Sequence, residues 1–453
     1  MMILEGQKHA ELNFSKILKR YMPDENEKRN KHAIADDIMK RLSSEIEKRG
    51  IDADTVLVGS LARGTALKNS DVDIFIRFSR NYERAKMERA GLDLGFSIFP
   101  DATPKYAEHP YISSVVSGTK VDIVPCYRIE FNTPKISSVD RTPLHTQYMK
   151  ERLTGKSIEE VILTKLFLRK QGIYGSELKT EGFSGYVCEL LILHFGTFYN
   201  FMEQMSRLSG RLVIRDNVKE FHSPVVIIDP VDLSRNAGAA VSNDSLSVLK
   251  TASKFFLMFP SDDYFYYDEN PGTEPVKHER GTYLLALVIE RPDIIDDILF
   301  PQVHLTRKKL GEFAENMELP LLNIFDHVEE KTVTVLMEFA SPSLPSIEKR
   351  TGPPAGNMNV VSFIEKHMNS PDFVRGPFVE NGRIVIEVRR KITQFRDIFR
   401  NNLENINFGK NLNRLKPGAS ILDNQEEIRK SDAYRAFLSV KSPFLSARKD
   451  FKK

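Results

Sequence analysis

The segment VLVGSLARGTALKNSDVDIFIRF, Val56 to Phe78, carries the densest chemical signal in this chain of 453 residues. Its first part is an apolar, β-branched run that leads into Gly59 and Ser60, and the LARG that follows has the composition to open a helix. The backbone amides of such a turn, the Ser60 hydroxyl and the Arg63 guanidinium can converge on an anion. This part of the segment indicates a triphosphate site, although a Gly-Ser turn by itself is common.

The second part of the segment places two carboxylates on one face of a predicted strand. Asp71 and Asp73 are two residues apart, and strand side chains at that spacing point the same way. Two such carboxylates repel each other unless a cation lies between them, and their apolar neighbours argue against simple solvation. Asp122 in KVDIVPCY, Lys120 to Tyr127, adds a third embedded carboxylate. We expect the three to bind Mg²⁺ as a two-ion site for in-line phosphoryl displacement, although Mn²⁺ would be coordinated similarly.

The composition indicates a globular protein of several domains. Apolar residues make up 41% of the chain, which excludes an intrinsically disordered protein. At roughly 100 to 200 residues per domain, the length predicts two to four domains. The longest apolar runs, such as Tyr283 to Ile289, are far shorter than the ~20 residues of a membrane span, so we expect no membrane partner.

Two further features bear on the cellular compartment. The amino-terminal MMILEGQKHAELNF mixes charge into every short apolar stretch, so no signal peptide is predicted. Cys126 and Cys188 stand alone in apolar surroundings, which is typical of neither a disulfide framework nor a zinc site. Both observations favour a reducing, cytoplasmic location.

The net charge of +3 hides an uneven distribution. Residues 383–453 contain 17 Lys and Arg against 8 Asp and Glu, a net charge of +9, so the first 382 residues carry −6. This pattern is expected if the carboxyl end binds a polyanion while another region holds carboxylates for a metal. A solvated charged face is the alternative.

Helix and strand signals in the first 145 residues predict one long helix and a small mixed sheet. Asp24 and Glu27 form a candidate capping box, and apolar residues then recur at every fourth position until Gly50. Short β-branched or aromatic runs predict four strands, at Thr55 to Val58, Val72 to Phe78, Ile112 to Val116 and Val121 to Val124.

The following region is predicted to be mainly helical, and strands return after about residue 280. A capping box at Ser157 and Glu160 predicts a helix that ends at Gly172, and Phe183 to Met205 is predicted to be one buried helix. The later strands are TYLLALVIE, KTVTVLMEFA and RIVIEVRR, with the helix TRKKLGEFAENM between the first two. Thr351 to Asn359 is predicted to be a loop.

The motifs GS, R-G-T, D-V-D and V-D-I-V-P, in this order, resemble those of the polymerase-β-like nucleotidyltransferases. Longer segments resemble the class I, archaeal-type CCA-adding tRNA nucleotidyltransferases, from about residue 20 to 345 and more faintly into Phe373 to Arg383. These segments are YAEHPYISSVVSG, VDIVPCYRI, VDRTPLHTQYMKERLTGK, LRKQGIYGSELKTEGFSGYVCELLILHFG and IIDPVDLSRNAGAAVS.

The resemblance implies template-independent addition of C, C and A to the 3′ end of tRNA from CTP and ATP, with release of pyrophosphate, and repair of damaged CCA ends. Ser60 and Arg63 would hold the nucleotide's phosphates. Asp71 and Asp73 would bind the metal that bridges the triphosphate, and Asp122 would join them on a second metal and help to activate the primer 3′ hydroxyl.

Four further residues match nucleotide-binding positions of the family: His145, Lys165, Tyr174 and Arg235, the last of which would read the incoming base together with tRNA phosphates. Each also has an ordinary structural explanation. His145 could be a satisfied core or surface histidine, and Tyr174 could simply pack. The Lys165 stem could extend to water instead of meeting an anion, and Arg235 could form a local ion pair with Asp232.

We therefore expect an α+β multidomain chain. Its predicted parts are a polymerase-β-like nucleotidyltransferase head at residues 1–145, an all-helical neck at 146–270 that binds nucleotide and the tRNA 3′ end, an α+β body at 271–350 that binds tRNA, and a basic tail at 351–453 that binds the tRNA elbow. The alternatives are another template-free polymerase that makes poly(A), poly(U) or oligoadenylate, and an inactive RNA-binding homologue. The sequence leaves the oligomeric state open, with a homodimer as one option.

Overall fold

The computed structural model describes residues 12–106, 108–131, 136–214, 221–267 and 280–439. These residues form two compact units, one made of the described residues up to 267 and the other of those from 280. Residues 1–11 and the end of the predicted tail, 440–453, lie outside the described part. Across the described ranges, no helix combines the length and the hydropathy that a bilayer crossing requires.

The first unit contains both predicted head and predicted neck. Its helices and strands are α1 Phe14–Tyr21, α2 Glu25–Lys48, β1 Ala53–Val58, α3 Gly59–Arg63, β2 Val72–Phe78, α4 Arg84–Ile98, β3 Pro104–Tyr106, β4 Pro110–Val116, β5 Thr119–Tyr127, α5 Arg141–Lys150, α6 Gly155–Lys170, α7 Gly185–Phe195, α8 Phe198–Arg207, β6 Leu212–Ile214, β7 Val225–Asp229, β8 Asp232–Asn236 and α9 Asn243–Met258.

Strands β1 to β5 form a mixed sheet in the order β1-β2-β5-β4-β3. β2 and β5 are parallel, and the other neighbouring strands in this sheet are antiparallel. All four predicted strands are confirmed, with β2 at its predicted bounds and the other three longer than predicted. The sheet brings the strands that carry Asp73 and Asp122 side by side.

Helix α2 covers one face of this sheet. Asp24 caps it, because Asp24 Oδ1 accepts a hydrogen bond of 2.8 Å from the backbone N–H of Glu27, but the other half of the predicted capping box is replaced: Glu27 Oε1 accepts from the backbone N–H of Asn69 over 3.2 Å. The predicted apolar positions Ile38, Leu42 and Ile46 are buried in one cluster with residues of β2, β4 and β5. This packing holds α2 against the sheet that carries the predicted acidic residues.

The neck differs from its prediction in two helix positions. Helix α6 begins at Gly155, so its capping pair is Thr154 and Ser157, and the backbone N–H of Thr154 donates to Ser157 Oγ over 2.7 Å. The predicted pair of Ser157 and Glu160 is therefore wrong. The Glu160 carboxylate instead accepts from the first N–H of α8, at Phe198.

The predicted single helix from Phe183 to Met205 is also wrong. It consists of α7 and α8, which are separated at Gly196 and Thr197. Gly196 has a φ of 81°, which ends α7, and the Thr197 side chain accepts from the N–H of Asn200 to begin α8.

The α+β multidomain architecture is confirmed, but the neck is not all-helical. Strands β6, β7 and β8 form a small sheet in that order, and every residue of β7 is buried. The apolar run of β7 is only four residues long, and its neighbours carry no strong strand signal. In this sheet β7 ends at Asp229, and β8 contains Arg235, one of the predicted site residues.

The second unit contains two antiparallel sheets, in the orders β10-β11-β9-β15 and β12-β14-β13. Its elements are β9 Tyr283–Glu290, α10 Asp296–Asn316, β10 Leu321–Val328, β11 Thr332–Phe339, β12 Ile347–Pro354, α11 Val360–Met368, β13 Phe373–Glu380, β14 Arg383–Arg389, α12 Phe395–Asn402, α13 Lys410–Leu415, β15 Ser420–Leu422, α14 Gln425–Lys430 and α15 Asp432–Ser439.

The predicted strands of this unit are confirmed as β9, β11 and β14, and the predicted helix is the second half of α10. In β14, the buried face predicted at Ile384, Ile386 and Val388 is confirmed.

The loop predicted from Thr351 to Asn359 is wrong in its first half, because β12 extends to Pro354. β15, from the predicted tail, pairs with β9 of the predicted body. The division into four parts stays a prediction.

Candidate active site

Three acidic residues lie on or next to the inner strands β2 and β5 of the head sheet, near the residue at which β2 begins. Asp73 in β2 and Asp122 in β5 are register partners across the parallel strand pair. Asp71 directly precedes β2 and is two residues from Asp73. Side chains at that spacing share one face of a strand, so the fold brings the three predicted carboxylates to neighbouring positions.

The Asp73 carboxylate lies against the backbone of the Gly-Ser turn. Gly59 has a φ of 76°, and a Cβ added there would lie 2.2 Å from Asp73 Oδ2. Glycine is required both for this left-handed backbone and for this close approach. Helix α3 begins at Gly59, and Ser60 is its second residue. Ser60 is therefore the residue next to the glycine that contacts Asp73.

The charges in this group are strongly coupled. Burial, followed by the repulsion of Asp122 and then Asp71, raises the pKa of Asp73 to about 6. The Lys120 ammonium lies 2.8 Å from Asp71 Oδ2 and 2.8 Å from Asp122 Oδ2. Sequence reasoning did not assign Lys120 a role, yet it is the cation that lies between two of the three carboxylates.

The donor set fits a hard divalent cation. The second oxygen of Asp122, Oδ1, is buried and has no hydrogen-bond partner in the described part of the chain. A buried carboxylate oxygen without a donor is costly, and a cation would satisfy it. In the described ranges, no three His, Cys, Asp or Glu side chains are already arranged as a ligand cluster, and the Lys120 ammonium lies between Asp71 and Asp122.

A second group of predicted residues surrounds Glu189 of α7, which is fully buried. Arg63 Nε lies 2.8 Å from Glu189 Oε2, and the Thr65 hydroxyl donates to Oε1 over 2.5 Å. Lys165 Nζ lies 3.7 Å from Oε1 and donates to the Thr65 carbonyl over 2.8 Å. Two cations against one carboxylate leave an excess of positive charge, which suits an anionic substrate group.

Lys165 is 1% exposed, so its stem does not extend to water. Burial lowers the pKa of Lys165, and the Glu189 charge opposes this shift. Tyr174 lies at the same place: a Cβ on Gly185 would be 3.1 Å from the Tyr174 hydroxyl and 3.5 Å from Lys165 Nζ. Burial also raises the pKa of Tyr174, which keeps its phenol protonated as a donor.

The third group surrounds Asp229, which is also fully buried. His145 Nε2 and Arg235 Nη1 each lie 2.8 Å from Asp229 Oδ2, and the Tyr186 hydroxyl donates to Oδ1 over 3.1 Å. Arg235 therefore pairs with Asp229, and the ion pair considered between Arg235 and Asp232 is wrong. Asp232 lies 3.2 Å from Arg141 instead.

Arg63 connects the three groups. Its Nη1 donates to the hydroxyl of Thr146, next to His145, over 3.4 Å. Its positive charge lowers the pKa of Asp73, of His145 and of Tyr174, although in each case burial has the larger effect. The structure thus brings the predicted residues into one electrostatically coupled region of the first unit.

Four residues of this region were missed by sequence reasoning: Lys120, Tyr186, Glu189 and Asp229. Glu189 interrupts the apolar run of α7, and Asp229 ends the apolar run of β7. Lys165 and Asp122 were identified because each is an ionisable residue within an apolar stretch of sequence. Glu189 and Asp229 carry the same signal. Tyr186 and Lys120 carry no such signal.

The sheet topology and the carboxylates are those of a polymerase-β-like nucleotidyltransferase, and residues 39–145 match the family described as "Nucleotidyltransferase domain". Residues 159–266 match "tRNA nucleotidyltransferase, second domain", and residues 280–424 match "CCA-adding enzyme, C-terminal domain". The chain belongs to the family of archaeal CCA-adding enzymes.

Several relatives described as CCA-adding enzymes are similar to this chain over most of their length. The CCA-adding enzyme of Picrophilus torridus is 41% identical over 91% of this chain and 95% of the relative. The CCA-adding enzyme of Thermoplasma volcanium is 42% identical over 89% of this chain and 92% of the relative. One of the similar solved structures, described as Cid1 with RNA terminal uridylyl transferase activity, has a TM-score of 0.45 at 15% identity, over 57% of this chain and 97% of that chain.

Proposed function

We propose that this chain adds C, C and A in sequence to the 3′ end of tRNA, using CTP and ATP and releasing pyrophosphate, and that it repairs incomplete CCA ends. The observation that carries the proposal is the Asp73–Asp122 pair on parallel strands beside the Gly59–Ser60 turn. Family membership over head, neck and body supplies the substrate class, since the head alone is compatible with any template-free nucleotidyltransferase.

Asp71, Asp73 and Asp122 are proposed to hold two Mg²⁺ ions. When bound, such ions neutralise charge on the triphosphate and on the attacking and leaving oxygens. The chain's contribution is a buried, partly uncompensated set of carboxylate oxygens, Asp122 Oδ1 among them. The elevated pKa of Asp73, about 6, means that this site binds protons in competition with metal under mildly acidic conditions.

Arg63, Lys165 and Tyr174 are proposed to bind the triphosphate together with Ser60. Arg63 and Lys165 are fixed by Glu189, so they need no reorganisation when an anion arrives. His145 and Arg235, fixed by Asp229, are proposed to contact the nucleoside part of the nucleotide.

The basic carboxyl-terminal region of the chain is proposed to bind tRNA phosphates. The protein is proposed to be located in the cytoplasm.

The test is product length. The purified chain is incubated with Mg²⁺, CTP, ATP and tRNA that lacks its 3′ CCA, and the products are resolved at single-nucleotide resolution. Growth that stops after three nucleotides, and that ends in A only when ATP is present, supports CCA addition. Processive extension with ATP or UTP alone would instead indicate a poly(A) or poly(U) polymerase, which is the alternative function.

A further inference from the structure

Asp229 is a buried carboxylate whose two oxygens contact four hydrogen-bonding partners, two of them the nucleotide-binding candidates His145 and Arg235. Its Oδ2 is 2.8 Å from His145 Nε2 and 2.8 Å from Arg235 Nη1, and its Oδ1 accepts from the Tyr186 hydroxyl and from the Val231 N–H, each over 3.1 Å. Asp229 is 0% exposed. Four donors on one buried carboxylate occupy its full acceptor capacity.

The four partners come from separate elements. His145 is on α5, Tyr186 on α7, Arg235 on β8, and Val231 in the turn between β7 and β8. The imidazole of His145 stacks on the Tyr186 ring with 3.9 Å between centroids. Asp229 therefore links α5, α7 and β8 through hydrogen bonds. These bonds restrict the orientation of the His145 imidazole and of the Arg235 guanidinium.

An ionised carboxylate only accepts hydrogen bonds, so the hydrogen bond with His145 requires a proton on Nε2. Burial raises the pKa of Asp229, but the hydrogen bond and charge of His145, the Val231 N–H and Arg235 outweigh it and lower the pKa to about 2. Burial lowers the pKa of His145, so the ring is neutral at pH 7. A neutral ring with its proton on Nε2 has an acceptor lone pair at Nδ1.

Arg235 is held at one nitrogen only. Its Nη1 donates to Asp229, its side chain is 33% exposed, and none of its other N–H groups has a hydrogen-bond partner within the described part of the chain. Those donors keep the fixed fork geometry of a guanidinium and remain available to a ligand.

We propose that Asp229 is a positioning residue for nucleotide selection: it fixes His145 as the Nε2–H tautomer, so that Nδ1 accepts a hydrogen bond from the bound nucleotide, and it fixes the donor fork of Arg235 beside it. This inference rests on the proposed function in assuming that the ligand is a nucleotide. The donor to Nδ1 is either a ribose hydroxyl or the exocyclic amine at C4 of cytosine and C6 of adenine, positions at which uracil and guanine carry a carbonyl oxygen.

The tautomer is measured first, because it needs no substrate and no catalytic activity. The full chain with ¹⁵N-labelled histidine is examined by NMR at pH 7, and the His145 signals are identified as those missing from His145→Gln. The expected result is a protonated Nε2 and an unprotonated Nδ1. A proton on Nδ1, or a doubly protonated ring, would overturn the proposal even if CCA addition is confirmed.

Asp229→Asn is the second test, since an Asn side chain has one acceptor oxygen for the four donors. We expect the His145 tautomer to become mixed and the KM for CTP and ATP to rise about 10- to 100-fold, the range for losing a hydrogen bond to a charged group. An unchanged tautomer and an unchanged KM in the folded variant would contradict the proposal. Tyr186→Phe removes only one of the four donors and keeps the carboxylate and the stacked ring, so it should raise KM less than Asp229→Asn does.

The two sources of the donor are separated by substrate analogues. If the ribose hydroxyl is the donor, 2′-deoxy-CTP binds the wild type more weakly than CTP does, and Asp229→Asn removes most of that difference. If the exocyclic amine is the donor, Asp229→Asn instead incorporates UTP more readily relative to CTP. A variant that shows neither effect would overturn the assignment of Nδ1 to the nucleotide. Asp244→Asn, at an exposed position on α9, is the matched control and should behave as wild type.

Discussion

Asp73 and Asp122 are register partners on the parallel strands β2 and β5, and the Asp122 charge is the largest effect after burial in raising the pKa of Asp73 to about 6. The folded protein therefore keeps an acid in an environment that opposes its ionisation. Such a site costs stability in the absence of a bound cation and is typical of functional positions.

Asp73→Asn should stabilise the metal-free protein above pH 6. A pKa raised from 3.8 to about 6 destabilises the ionised folded state by at most about 3 kcal/mol, and partial solvent screening reduces this value. The penalty is complete above pH 6 and shrinks as the pH falls from 6 toward 3.8, since the folded state then takes up a proton more readily than the unfolded chain. Denaturant unfolding in EDTA at pH 5 and pH 7.5 measures it, and a variant that is less stable than wild type at pH 7.5 would contradict the prediction.

Lys120→Met should bind divalent metal more tightly in the absence of substrates. The Lys120 ammonium bridges Asp71 and Asp122, and an incoming cation is repelled by it. Removing one charge at such a distance is worth about 1 kcal/mol in a screened site, or about fivefold in affinity. Mn²⁺ binding followed by electron paramagnetic resonance measures this directly. Lys105→Met, at an exposed position on β3, is the control, and equal affinities in the two variants would refute the role of Lys120.

Glu189→Gln should destabilise the first unit by about 3 kcal/mol, because it leaves Arg63 and Lys165 buried without their counter-charge. Glu203→Gln on α8 is the matched control: Glu203 is 47% exposed, and its i,i+4 pair with Arg207 contributes less than about 0.5 kcal/mol. Chemical denaturation of both variants gives the difference. Equal stabilities would mean that Glu189 is not the residue that compensates the two cations.

The proposed tRNA-binding role of the basic carboxyl region predicts a salt effect. Arg390 is paired with Glu348 at 2.6 Å, whereas Arg389 is exposed and Lys391, which lies 3.7 Å from Asp372, is 82% exposed. Arg389→Glu with Lys391→Glu should therefore weaken tRNA binding and lower the slope of log affinity against log salt by about 1 to 2. Lys40→Glu with Lys48→Glu on α2 is the charge-matched control. A slope equal to that of wild type would exclude this surface.

The sequence predicted that the three carboxylates are neighbours because the signal for this arrangement is local. Asp73 and Asp122 sit in strands whose alternation fixes the side-chain direction, Asp71 directly precedes one of them, and the two strands prove to be neighbours. The partners of the nucleotide-binding residues were not predictable in this way. Arg63 meets Glu189 across 126 positions and His145 meets Asp229 across 84, so only the tertiary fold reveals either pair.

The fold was predicted less completely where local preference conflicts with packing. Helix α4 contains Gly91 and Gly95, which are poor helix formers, and no helix was predicted there. A Cβ on Gly95 would lie 2.4 Å from Ile112 Cγ1, so the glycine is needed for α4 to lie against β4. Likewise, Gly196 divides a continuous apolar pattern into α7 and α8, which hydrophobic periodicity alone does not detect.

The central claim is that the three acidic residues of the head perform nucleotidyl transfer. The most direct measurement is single-turnover incorporation of CMP into tRNA lacking its 3′ CCA, in Mg²⁺, by Asp71→Ala, Asp73→Ala and Asp122→Ala, with tRNA affinity and the unfolding transition measured on the same preparations. We predict that all three variants fold and bind tRNA but transfer no CMP. Transfer at the wild-type rate by any one of them would contradict the role assigned to that residue.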